Sequence, residues 1–291
     1  MMSRPLGPGA GTVPAVGYGG MHLSIQNRPP EAEALRVLAA VLDAGVMLID
    51  TADAYCLDQR EIGHNERLIA RALRSWRGDR SRVLVATKGG IVREGAGWQR
   101  DGSPRHLKQA CDASLRALGV ERIDLYQLHA PDPRVAFEES VGALAELQRQ
   151  GKIRRVGLSN VSVSEIRAAE SQVTITTVQN RLNPFFREAL ADGVLRYCTE
   201  RSIGFLAYSP VGGGRLNRKL PEHPVLKPMA QRYGVSAHVL VLAWALARGP
   251  VVIPIPSART VDHALDSIRA VELRLAPEDL EAISQSEFSR A

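Results

Sequence analysis

The chain has 291 residues, 45% hydrophobic, 23% charged and 5% aromatic, a composition that builds a sizeable core and excludes a disordered chain. It contains no run of about 18 apolar residues, and Met1 to Gly20 lacks a basic start followed by an apolar stretch, so neither a bilayer span nor a signal peptide is expected and the protein reads as cytoplasmic. The formal net charge of +6 comes from Lys and Arg scattered among Asp and Glu, which describes a mixed solvated surface and makes no case for nucleic acid or membrane as a partner. Cys56, Cys111 and Cys198 are odd in number and widely spaced, which fits neither a disulfide framework nor a zinc site.

In chain order, residues 1–14 are expected to form a short hairpin, and a short strand follows at 15–19. A helix over 30–44 is bracketed by Pro29-Pro30 and Gly45, then comes a strand at 46–50. The helix over 66–76 puts Leu68, Ile69, Ala72 and Leu73 on one face and Arg67, Arg71 and Arg74 on another. The alternation continues with strand 83–87, helix 104–118, strand 123–127, helix 135–149, strand 154–158 and helix 163–170. It closes with strand 176–179, helix 187–201, strand 203–207, helix 236–247, strand 251–253 and helix 261–270, and an extra helix over 277–285.

Strands alternating with helices imply a parallel sheet. Eight such units in a chain of this length predict a closed (β/α)8 TIM barrel, one domain over residues 1–291, with the N-terminal hairpin under the floor and the last helix outside. An open doubly wound sheet is the rival, but Gly17-Tyr18-Gly19-Gly20 does not open straight into a helix as its dinucleotide fingerprint would require. The longest connections, 89–103 and 208–235, follow predicted strands and so lie on the C-terminal rim, where a barrel carries its catalytic loops.

Polar residues at those strand ends are the candidates for chemistry. Asp50 ends the second strand and leads into Thr51-Ala52-Asp53-Ala54-Tyr55, Lys88 ends the third, and His129 ends the fourth. Singly, each could be a loop cap, a rim charge or a structural histidine; their joint placement makes a proton-transfer set for a carbonyl beside a hydride donor. In that reading Tyr55 donates the proton, Lys88 lowers the phenol's pKa, Asp50 keeps Lys88 charged and His129 orients the substrate oxygen. A metal hydrolase would need more carboxylate or histidine ligands at strand ends, so no metal is expected.

The run Asp50-Thr-Ala-Asp-Ala-Tyr55, with Ala86-Thr87-Lys88, Gln127-Leu128-His129, Gly157-Leu158-Ser159-Asn160 and Tyr208-Ser209-Pro210, resembles the aldo-keto reductase family, and the resemblance covers nearly the whole chain. It implies a (β/α)8 barrel, NADPH (NADP) as cofactor and reduction of a small-molecule aldehyde or ketone. It assigns Ser159, Asn160 and Gln179 to the nicotinamide carboxamide, Tyr208 to stacking on the nicotinamide, and Gly20 and Met21 to further cofactor contacts. Ser209 and the run Val211-Gly212-Gly213-Gly214 fall near the pyrophosphate. Ser257 and Arg259, before a helix N-terminus, suit a 2′-phosphate. Many relatives carry Glu-Asn one turn later for the adenine; this chain has Asp266-Ser267, so Asp266 stands for the acid and the shorter Ser267 departs from the pattern.

Met21, His22, Cys56 and Trp98 are candidates to line the substrate pocket. The chain ends soon after its last helix, which leads us to expect an open mouth and broad carbonyl tolerance. A second reading, an NADPH-binding regulatory or sensory subunit with little turnover, is disfavoured by the intact set Asp50, Tyr55, Lys88 and His129.

Overall fold

The N–H groups of Gly17 and Gly19 donate to the carbonyls of Pro254 and Pro256 at 3.0 and 2.9 Å, and these two bonds join the first strand of a parallel sheet to the last. In the computed structural model, which describes residues 2–290, the sheet runs in chain order through β1 (Tyr18–Gly19), β2 (Leu48–Asp50), β3 (Leu84–Gly89), β4 (Leu125–Leu128), β5 (Val156–Ser159), β6 (Ile175–Gln179), β7 (Gly204–Ala207) and β8 (Val252–Pro254). The expected barrel is therefore present. Around it lie α1 (Glu31–Asp43), α2 (His64–Ser75), α3 (Pro104–Leu118), α4 (Phe137–Arg149), α5 (Val163–Glu170), α6 (Glu188–Ala191), α7 (Val194–Glu200), α8 (Leu226–Tyr233), α9 (Ala237–Leu246), α10 (Val261–Ile268) and α11 (Pro277–Gln285). Among the described residues no helix is long and apolar enough to cross a membrane.

Local chemistry sets the boundaries. The Ser103 hydroxyl accepts the His106 N–H, Pro104 opens α3, and Gly119 closes it in the left-handed region at φ 69°, an accepting serine cap, a proline and a glycine each in the place it favours. Ser162 and Glu165 form a reciprocal capping box on α5, satisfying two otherwise orphaned N–H groups. The expected helix over 187–201 is broken into α6 and α7, because Gly193 between them takes φ 83°. The 208–235 connection holds a short 3-10 segment (Leu216–Glu222) and α8, which tolerates Pro228 because that residue lies in the first turn, where the N–H has no helical acceptor. The 89–103 connection folds into a hairpin of Ile91–Glu94 against Gly97–Arg100. The first strand is shorter than expected: Ala15 and Val16 pack with Val239, Leu242, Ala270 and Val271 beneath α9.

The floor of the barrel is an apolar layer of Leu48, Ala86, Leu125, Leu206 and Ile253, plugged from below by fully buried Leu6. Leu6 leaves the N-terminal hairpin, in which Ser3–Pro5 pairs with Thr12–Pro14. The plug fits so closely that a Cβ on Gly204 would lie 2.0 Å from the Leu6 carbonyl oxygen. Above this dry layer the inward positions become polar. Leu6→Ala is accordingly expected to cost about 2–5 kcal/mol of folding stability by equilibrium denaturation; a loss below about 0.5 kcal/mol, the range of neutral surface changes, would place the hairpin outside the core.

Candidate active site

The pleat of β3 turns Leu84 and Ala86 toward the floor layer and Val85 toward the helices, so Lys88, two residues after Ala86, points into the barrel. It has no solvent exposure. An isolated ammonium there would lose several kcal/mol of hydration, and the site offsets this with three acceptors. Nζ donates to Asp50 Oδ2 at 2.7 Å, to the Thr51 carbonyl at 2.8 Å and to the Tyr55 hydroxyl at 3.0 Å, which uses all three N–H bonds. Burial pulls the ammonium's pKa down, but Asp50 and Tyr55 outweigh it and hold Lys88 above its ordinary value.

The other carboxylate oxygen of Asp50 accepts from Gln179 Nε2 at 2.7 Å and Gln127 Nε2 at 3.3 Å. Asp50, Gln127 and Gln179 sit on β2, β4 and β6, the alternate strands that share a layer in such a barrel. Tyr55 stands on a tight turn after β2, its N–H donating to the Ala52 carbonyl at 3.2 Å. Burial pushes the phenol's pKa up; Lys88 draws it down and Asp50 opposes Lys88, so the net direction is upward. Lys88 thus acts in the expected direction, but desolvation outweighs it and the phenol keeps its proton. His129 meets the Tyr55 ring edge-on at 5.7 Å. Burial, then Lys88, hold its pKa well below the ordinary value, and its buried Nδ1 has no partner, so the imidazole is neutral.

Two further strand ends, those of β5 and β7, are tied together beside this set. Asn160, in the left-handed region at φ 59° that Asn tolerates, donates from Nδ2 to the His129 carbonyl at 3.0 Å and to Ser159 Oγ at 3.1 Å. The Tyr208 hydroxyl donates to Asn160 Oδ1 at 2.8 Å. A cavity of about 340 Å³ opens over Asp50, Tyr55 and His129, with Met21, Ser159, Asn160, Gln179, Tyr208, Ser209 and Ser257 in its walls. His22 and Trp98 also line it, whereas Cys56 does not; burial pushes the Cys56 thiol up to about 11.

The remaining expected residues lie around the cavity, outside its wall. Gly20 is behind it, its carbonyl accepting from Asn65 Nδ2 at 2.9 Å, and a Cβ there would come within 2.5 Å of Asn65 Oδ1. Gly212 makes a turn at φ 93° and leaves Gly213 to line the cavity, while Gly214 faces open space. Arg259 reaches the Gln26 carbonyl at 3.3 Å, and its buried Nε has no partner, as is true of Ser257 Oγ. Both Asp266 oxygens are engaged, by Ser236 at 2.5 Å and Arg269 at 3.3 Å.

Sequence reasoning missed a buried polar shell behind β3. Thr87 Oγ1 donates to Glu66 Oε1 at 2.6 Å, Thr51 Oγ1 to Asn65 Oδ1 at 2.6 Å, and Asp53 is buried nearby with Oδ1 unpartnered. Polar Asn65 and Glu66 in the buried phase of α2 were the available signal. Burial raises the pKa of both Asp53 and Glu66, the Glu66 charge raising Asp53 further. Also missed was Arg93, buried over the Trp98 ring at 4.0 Å and tied to the Leu57 carbonyl at 2.6 Å.

The model described as "Aldo/keto reductase family" matches residues 15–287. An uncharacterized oxidoreductase of Schizosaccharomyces pombe is 34% identical over 268 residues, covering 90% of this chain and 83% of that one. The structure of a glycerol dehydrogenase from Gluconobacter oxydans superposes with a TM-score of 0.83 at 27% identity, covering 97% of this chain and 93% of that one. An aldo-keto reductase of Klebsiella pneumoniae in complex with NADPH does so with a TM-score of 0.82 at 27% identity, covering 98% and 95%.

A carboxyl whose folded pKa is raised holds its proton longer in the native state, so its contribution is complete below the unfolded value of about 4 and is lost as pH rises through the folded one. Glu66→Gln removes that titration while keeping an acceptor for Thr87. The variant's Tm relative to the unmodified protein is expected to be higher at about pH 8 than at about pH 5; an offset independent of pH would contradict the assignment.

Proposed function

The chain belongs to the aldo/keto reductase family, and on that premise we propose that it works as one barrel domain that reduces aldehydes or ketones to alcohols with NADPH, Tyr55 giving the proton. The observation carrying this reading is the run of hydrogen bonds from Asp50 through Lys88 to Tyr55, which ends at a phenol in the wall of a cavity. The orphaned Ser257 Oγ and Arg259 Nε fit a phosphate-bearing cofactor, since buried donors without partners await one. When bound, the reduced nicotinamide supplies the hydride to the carbonyl carbon.

The chain's own residues manage the proton and the charge. Tyr55 is protonated at neutral pH because burial raises its pKa, so it holds an O–H ready for the oxygen that gains negative charge. The phenolate left behind stays 3.0 Å from the Lys88 ammonium, in a site with little competing water, where that attraction is strong. Asp50 keeps the ammonium charged and aimed. His129, neutral beside the Tyr55 ring, offers a ring N–H to the same substrate oxygen without adding a second charge. Gln179 spends its N–H on Asp50 and keeps Oε1 for the carboxamide, together with Ser159 and Asn160. Tyr208 offers its ring face, Met21 lines the same cavity, and Gly20 supports that wall from behind through Asn65. A pyrophosphate would lie along Ser209 and Gly214, whereas the Gly212 N–H is spent on the Ser209 carbonyl at 2.9 Å and shapes the turn; Ser257 and Arg259 hold the 2′-phosphate, and Asp266 reaches the adenine only by exchanging its present partners.

Tyr55→Phe is expected to lower kcat for a reactive aldehyde by about 10²- to 10⁴-fold while NADPH affinity is kept. With the phenol's pKa above the ordinary value of about 10, kcat/KM for reduction stays level across neutral pH and falls only in strong alkali. Tight NADPH binding with no aldehyde turnover by the unmodified protein would contradict the reading. Arg259→Ala is expected to raise KM for NADPH by about tenfold or more, the scale of a charge-assisted hydrogen bond, and KM for NADH far less; equal effects would remove the 2′-phosphate role.

A further inference from the structure

Gln179, Asn180 and Arg181 leave the end of β6 in extended succession, and the pleat sends alternate side chains to opposite sides. Asn180 faces away, exchanging hydrogen bonds with the Val161 backbone at 3.1 and 2.7 Å. Gln179 and Arg181 both line the cavity, continuing the inward column that begins with Thr177, which bonds Gln127 at 3.5 Å. The Arg181 backbone pairs with Tyr208, so the column is held by the sheet up to its last member.

The Arg181 guanidinium lies over the Phe186 ring at 4.4 Å and the Tyr208 ring at 5.4 Å. These contacts orient its planar fork without using its N–H groups. Among the described residues its side chain has no ion-pair partner. Glu188, the acid whose pKa it influences, is already paired with Arg290 at 2.6 Å. Of the other charged or titratable groups in the wall, Asp50 is neutralised by Lys88, and burial lowers the pKa of His22 and His129. Arg93 is turned behind Trp98 to the Leu57 carbonyl. Among the residues that line the cavity Arg181 is thus the one Lys or Arg, carried on the strand next to the one that brings Tyr208; Arg93 and Arg259, whose buried Nε atoms also lack a partner, stand outside the wall.

We infer that Arg181 is a specificity-determining residue that receives an anionic group of the substrate, so that the preferred carbonyl compounds carry a carboxylate remote from the reacting carbon. The inference rests on the carbonyl-reductase reading of the same cavity and adds a substrate class to it. A guanidinium fork matches a carboxylate with two parallel hydrogen bonds, while the apolar and aromatic wall of Ile91 and Trp98 accepts the carbon frame between the two polar ends.

The test compares 4-carboxybenzaldehyde with benzaldehyde, using NADPH and the full chain. The unmodified protein is expected to favour the carboxylate in kcat/KM. Arg181→Gln lowers that ratio about tenfold, the scale of one charge-assisted hydrogen bond, Arg181→Lys restores part of it, and KM for NADPH moves much less. An unchanged ratio in Arg181→Gln overturns the inference and leaves the reductase reading intact. A rise in KM for NADPH with no change in ratio also overturns it, since the cation would then serve the cofactor. If neither aldehyde turns over, the reductase reading fails, and the cation is judged by calorimetric binding of benzoate to the NADPH-loaded protein: about tenfold weaker binding in Arg181→Gln supports the inference, and equal binding overturns it.

Discussion

A buried ammonium stays charged only if acceptors replace its water, and Lys88 constrains the upper barrel for that reason. Its three N–H bonds end on a β2 carboxylate, a backbone carbonyl and the Tyr55 hydroxyl. Each partner is in turn fixed by something else. Asp50 is held by amides from β4 and β6, and the turn carrying Thr51 and Tyr55 is pinned by Asn65 of α2. Removing one member of such a buried pair typically costs about 3–5 kcal/mol, so these bonds hold the loop after β2 in register with β3.

The frame below makes this arrangement possible. A closed ring of strands with an apolar floor plugged by Leu6 keeps water from reaching Lys88 from underneath, and the polar layer begins only at the strand ends. Above, the hairpin after β3 lays Trp98 edge-on against Tyr55 at 6.3 Å, with Arg93 stacked behind it. The phenol is thus desolvated on its ring while its oxygen faces the ammonium. That combination explains why burial dominates its proton affinity although a cation is in direct contact.

The parts of the fold written in local chemistry were the ones legible in the sequence. Helices α3, α5 and α11 run over the expected residues because a capping serine or an opening proline marks each start. Strand lengths were less legible, since whether Ala15 and Val16 pair or pack under α9 depends on tertiary contacts. Helix α8 was hidden by Pro228, although Gly234, left-handed at φ 64°, marks its end. In the site, Asp50, Tyr55, Lys88 and His129 could be read from strand-end placement, and the structure brings their side chains together. Direction of titration could not be read, because it is set by burial, which no spacing encodes. Arg181 was passed over for a similar reason: among 37 Lys and Arg residues, only the three-dimensional wall of the cavity singles it out.

In the proposed reaction Lys88 makes Tyr55 a usable proton donor by stabilising the phenolate it becomes. Steady-state reduction of a reactive aldehyde by Lys88→Met, which keeps the stem's volume and removes the charge, tests this directly once circular dichroism and NADPH titration establish that the variant is folded and loaded. A fall in kcat of at least about 10²-fold is expected at neutral pH, the scale of a general-acid contribution. A folded, NADPH-binding Lys88→Met protein that reduces the aldehyde at nearly the unmodified rate would contradict it.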